Sequence, residues 1–140
     1  MLIVNTNYEV ACAALAHLLV GLIKADAGLS ISEIEKIEIL IYKMRHGLPA
    51  EYDDIMKMIF QINEDPDYKN WSPDDHLDNG LMFFDRFVNS GQANTIHLDA
   101  IFDLFEIVAE VGDLTPGEEK YLNRIFKEFT SKYGMKKDDR

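Results

Sequence analysis

The run Val10-Ala11-Cys12-Ala13-Ala14-Leu15-Ala16-His17-Leu18-Leu19-Val20-Gly21-Leu22-Ile23 decides the fold. Only His17 interrupts its apolar character. Wound as a helix, the run is apolar on most sides, with Val10, Ala14, Leu15, Leu18, Leu19 and Leu22 distributed round the axis. A helix apolar all round belongs at the centre of a fold, covered by others. Asn5-Thr6-Asn7 offers its N-cap, and it should run to about Ala25. The run is too short to cross a bilayer, so no direct membrane insertion is expected. It also lacks the basic leader of a secretory signal, because no Lys or Arg precedes Lys24. The expected location is the cytoplasm.

Outward from this centre, the apolar period stays helical. Ile34, Ile37, Ile41 and Met44 mark a second helix, stopped by His46-Gly47-Leu48-Pro49. Ile55, Met58, Ile59 and Ile62 mark a third over about 51–63, broken at Glu64-Asp65-Pro66. Ser72-Pro73 caps and opens a fourth, which carries Leu77, Leu81, Phe84 and Val88 and ends near Ser90-Gly91. A fifth runs from about Thr95 to Gly112 through Leu98, Ile101, Phe102, Phe105 and Val108. A sixth starts at Thr115-Pro116, carries Leu122, Ile125, Phe126, Phe129 and Tyr133, and stops at Gly134. Met1 to Val4 suits at most a short extended piece. The stretch 64–72 is too short to separate domains. The expectation is one all-α domain over residues 1–140, a bundle of about six helices with a charged tail that frays from about residue 135.

The chain has 140 residues and a net charge of −11, which makes nucleic acid an unfavourable partner and a basic protein a favourable one. Its single cysteine, Cys12, allows no internal disulfide and sits where an inert buried thiol is expected.

An ungapped shift of 85 residues lays the first two helices over the last two. Leu29-Ser30-Ile31-Ser32-Glu33 falls on Leu114-Thr115-Pro116-Gly117-Glu118. Ile37, Leu40, Ile41, Met44 and Leu48 fall on Leu122, Ile125, Phe126, Phe129 and Tyr133. Hairpins 8–48 and 95–133 are therefore expected to superimpose. Each copy holds Ser or Thr followed three residues later by Glu, which is a capping box. In the first copy Ser32 with Glu35 is a rival cap, and the sequence leaves that choice open.

The segment Ala25-Asp26-Ala27-Gly28-Leu29-Ser30-Ile31-Ser32-Glu33 resembles the repeated Ala-Asp-Gly-x-Ile/Leu-Ser/Thr-x-x-Glu signature of the TerB-like domains. The second copy of that signature would fall on Glu110-Val111-Gly112-Asp113-Leu114-Thr115-Pro116-Gly117-Glu118. The first copy keeps the aspartate and has Ala27 at a glycine position. The second keeps Gly112 and has Val111 at the aspartate position. The resemblance spans essentially the whole chain. It implies a non-enzymatic helical domain of a tellurite- or stress-response system, whose acids bind a divalent metal and whose partner is a basic or membrane-associated protein.

Asp26 and Glu33 flank one loop, and Asp113 and Glu118 flank the other, so these four are the candidate metal ligands. Carboxylates and carbonyls are hard donors, which favours Ca²⁺ or Mg²⁺ over Zn²⁺. The alternative is a purely structural protein–protein interaction module without metal. Asp99, Asp103, Glu106 and Glu110 form a stripe on the fifth helix, expected as a solvated polar face. His17 is expected as a hydrogen-bonded core residue. His76, with Asp74, Asp75 and Asp78, reads either as an adventitious metal cluster or as a helix start complementing its dipole. Tyr68 and Trp71 either cover the core or anchor a partner. The loop at Asp65 fails as an EF-hand, since Lys69 and His76 stand at ligand positions. Zincin, P-loop, dinucleotide and nucleophile-elbow motifs are absent, so no enzymatic activity is expected.

Overall fold

A computed structural model describes residues 1–25, 31–111 and 114–135, with the backbone alone at 31–34 and 111. The described chain is an all-α bundle: α1 Asn7–Ala25, α2 Ile31–Lys43, α3 Tyr52–Glu64, a 3₁₀ turn Pro66–Tyr68, α4 Pro73–Asn89, α5 Thr95–Val111 and α6 Pro116–Tyr133. Among the described residues there is no strand; Met1 to Val4 lies along the surface outside any sheet.

Every residue of α1 from Val10 to Ile23 is buried, His17 included. By length and apolarity α1 would pass for a membrane span, but 78% of that window is buried inside the bundle. Cys12 lies in it, and burial pushes its thiol up to about 12. The other helices are amphipathic and turn their apolar stripes inward. Helix α4 runs closest along α1 and α3 flanks it. The close approach of α4 depends on Gly80, where a Cβ would meet the Leu18 side chain at 2.9 Å and its backbone nitrogen at 3.1 Å. Helix α6 is tied to α1 by a buried hydrogen bond, in which the Tyr121 phenol donates to the Leu18 carbonyl at 2.7 Å. An aromatic cluster of Phe84, Phe102, Phe126, Phe129 and Tyr133 joins α4, α5 and α6.

The helix starts follow local sequence closely. Ser72 and Thr115 form complete capping boxes with Asp75 and Glu118. Thr6 accepts from the Glu9 amide at 3.1 Å, and Asn94 accepts from the His97 amide at 2.9 Å. Gly134 ends α6 at φ 66°, the left-handed region that glycine adopts without strain. The rival caps Ser30 and Ser32 lie outside the described side chains.

One expectation is corrected. The helical spacing puts Glu106 on a solvated stripe with Asp99, Asp103 and Glu110, but it is only 5% exposed. Asp99 and Glu110 are exposed and Asp103 is half-buried. The reason is the width of the buried face of α5: Phe102, Leu104 and Phe105 all point inward, which carries position 106 beneath the surface.

The end of α1 meets the start of α6. A Cβ on Gly117 would stand 2.4 Å from the Ala25 carbonyl oxygen, and a backbone atom there yields little. Gly117→Ala is expected to lower stability by ~1–3 kcal/mol, as overpacking does. Urea melts check this. A neutral substitution would mean that the two helix ends do not touch.

Candidate functional site

Of the four expected metal ligands, Asp26 and Asp113 lie outside the described residues, as does the Glu33 side chain. Glu118 is described. Its carboxylate accepts from the Thr115 amide at 3.1 Å, while its own amide donates to the Thr115 hydroxyl at 3.2 Å. Its position is thus accounted for by the cap. The Ala25–Gly117 contact brings together the flanks of the two interhelical connections. Among the described residues, no three His, Cys, Asp or Glu side chains converge as a ligand set.

The most unusual chemistry lies elsewhere, in a polar chain buried between α1, α4 and the 65–72 segment. His17 and His76 are both 0% exposed, and their Nδ1 atoms stand 3.1 Å apart. Lys24, two turns beyond His17 on α1, places its Nζ 3.0 Å from the Tyr68 carbonyl, 3.2 Å from the Trp71 carbonyl and 2.8 Å from His76 Nε2. An ammonium has three protons, and here each has an acceptor. His76 Nε2 must then accept, so its proton sits on Nδ1 and is donated to His17 Nδ1. His17 in turn carries its proton on Nε2, 3.1 Å from the Asn79 amide nitrogen. A half-turn of that amide presents its oxygen and completes the chain.

Aromatic rings seal it. Tyr68, Trp71 and Phe83 lie with centroids 5.2, 5.8 and 6.0 Å from that of His17. Burial lowers His17 to about 4, and nearby Lys24 adds to the effect. Burial lowers His76 to about 3, with Lys24 and His17 contributing in the same direction and Asp75 opposing. Both rings are therefore neutral at physiological pH. His76 turns inward, away from Asp74 and Asp78, which pair with Arg124 on α6. The adventitious-metal reading of that cluster is corrected accordingly. Tyr68 and Trp71 cover the core.

A second feature is open to solvent. A groove of about 690 Å³ runs between the segment 1–3, the start of α1 and α3. Met1, Ile3 and Tyr8 are 68%, 77% and 42% exposed. Glu9, Asp54, Glu64 and Asp65 line it, against Lys57 and the Met1 amine, and that amine already pairs with Asp65 and Asp67. The Tyr8 hydroxyl accepts from the Glu51 amide at 2.8 Å and donates to Asp54; burial, then that carboxylate, push it up to about 12.

Sequence reading placed His17 correctly in the core but missed the chain. The available signal was spacing: His17 and Lys24 are seven apart in an otherwise apolar helix, so they share a face. His76 and Asn79 are three apart on α4, so they share one too.

Two outcomes are expected. Thr115→Ala and Glu118→Ala should each cost ~1 kcal/mol in EDTA, because each removes half of a cap. A Glu118→Ala loss seen only with added divalent ion would instead mark a ligand. Lys24→Met should cost ~1–3 kcal/mol, since it takes the donor from the Trp71 carbonyl and from a buried imidazole nitrogen and leaves the Tyr68 carbonyl with the Trp71 amide alone. Paired urea melts read both.

No family model, no curated protein and no solved structure matches this chain.

Proposed function

We propose that this chain is a non-enzymatic interaction module that takes a basic, partly apolar segment of a partner protein into the groove between its N-terminal segment, α1 and α3. The observation that carries this reading is the composition of the groove. Exposed Met1, Ile3 and Tyr8 offer apolar contact, and four carboxylates stand beside them. A net charge of −11 on the whole chain draws a cationic partner from a distance and speeds encounter. In this reading His17 and His76 have a structural part rather than a catalytic one. A general base must reach the proton it removes, and neither imidazole has exposed surface.

The TerB-like resemblance adds a finer alternative, a divalent-cation response through Asp26, Glu33, Asp113 and Glu118 in a tellurite- or stress-response setting. The contact between Ala25 and Gly117 supports the convergence that such a site would need.

The two readings separate in one set of measurements. A synthetic peptide of alternating Lys and Leu should shift NMR signals along α3 and the start of α1, and a Glu-for-Lys version should not. Asp54→Asn with Glu64→Gln should weaken Lys–Leu binding by about three- to tenfold, and raised salt should weaken it further. Equal binding of both peptides, or shifts confined to other helices, would remove the groove reading. A melting temperature raised by millimolar Ca²⁺ or Mg²⁺ over EDTA, and lost in Asp26→Asn, would favour the cation-responsive alternative.

A further inference from the structure

The buried pair His17–His76 does more than fill space. It joins three elements: α1 through His17 and Lys24, α4 through His76 and Asn79, and the 65–72 segment through the Tyr68 and Trp71 carbonyls; the Ser72 capping box with Asp75 also ties that segment to α4. The chain of donors has one free choice, its direction, and a charged Lys24 fixes that. Neither imidazole has a spare acceptor for a second proton. His17 Nδ1 already accepts from His76, and His76 Nε2 already accepts from Lys24. A proton added to either ring turns an acceptor into a donor and sets N–H against N–H. It also places a cation beside the Lys24 ammonium. The charged groups facing the pair are Lys24 from α1 and Asp75 from α4; Tyr68 and Trp71 from the 65–72 segment and Phe83 from α4 present rings. The Asp75 carboxylate is itself engaged at the Ser72 cap.

We propose that the His17–His76 pair is an acid-sensitive latch, whose protonation releases the 65–72 segment from α1 and α4 and uncovers the aromatic surface of Tyr68, Trp71 and Phe83. The segment is a 3₁₀ turn between two helices, held by the Lys24 bonds, the Tyr68 and Trp71 rings, the bond from the Leu2 amide to the Tyr68 hydroxyl, the exposed pairs of the Met1 amine with Asp65 and Asp67, and the Ser72 cap at the start of α4. Helices α1 and α4 remain packed through Leu18 and Gly80.

The direction of the pH effect follows from linkage. Closed, the rings have proton affinities well below the ordinary 6.5; open, they return toward it. The open form therefore binds more protons below pH 6.5. Closure is fully favoured above that value and is lost progressively as pH falls toward about 4. Each imidazole that takes up a proton raises the opening constant about tenfold per pH unit.

Trp71 is the one tryptophan of the chain, so its fluorescence reads the latch directly. On the full chain, acidification from pH ~7.5 to ~5, above the ordinary carboxylate range, should shift Trp71 emission to the red and raise acrylamide quenching while far-ultraviolet circular dichroism keeps its helical signal. In His17→Gln or His76→Gln the pH dependence of quenching should weaken by about tenfold per pH unit, and in the double variant it should vanish. An unchanged Trp71 transition in those variants, or a transition that coincides with loss of helix, would overturn the proposal. If the variants do not fold at neutral pH, NMR of the wild-type imidazoles decides: the His17 and His76 titrations should share a midpoint with the Trp71 indole signal, and separate midpoints would overturn it.

Discussion

Helix α1 has no side left for solvent. Fourteen consecutive residues, Val10 to Ile23, are buried, so the remaining helices must cover a full circumference rather than a stripe. This constraint explains why α4 comes close enough to need Gly80 and why α6 anchors on a carbonyl of α1 through Tyr121. The main-chain carbonyls of α1 are already used by its own helix, so the Tyr121 bond adds a second partner at Leu18 and fixes the height at which α6 crosses.

A centre that is wholly buried makes any polar group in it expensive unless it is fully bonded. His17 sits at that centre. Its cost is offset by a chain in which each member satisfies the next, ending at an ammonium whose protons are all engaged. The same arrangement leaves nothing to accommodate an added charge. Specificity of packing and sensitivity to protonation thus arise from one set of bonds. The acidic groove shares Asp65 with the 65–72 segment but has no part in that chain and draws on surface charge instead.

Much of the architecture was legible in the sequence because it is encoded locally. Ser72-Pro73, Thr115-Pro116 and Gly134 mark helix ends by short-range chemistry, and the helices begin and stop there. The all-round apolarity of Val10 to Ile23 identified the central helix by the same kind of reasoning. Two things were not legible. The burial of Glu106 depends on how wide a face of α5 its neighbours cover, which periodicity does not measure. The meeting of His17 with His76 joins residues 59 apart, and no local pattern selects one histidine of four as the partner of another. Of the candidate metal ligands, Asp26, Asp113 and the Glu33 side chain fall outside the described residues, and the one that is described, Glu118, has its geometry set by the cap.

The complete burial of α1 also bears on how the chain is made. During synthesis this helix is complete at Ala25, while α4, which packs most extensively along it, is complete only at Asn89. At ~5–20 residues per second, an apolar 19-residue segment waits roughly three to thirteen seconds for its cover. For that interval it has the length and apolarity of a membrane segment. Its fate rests on whatever shields it at the ribosome, before any of the contacts that later hold it have formed.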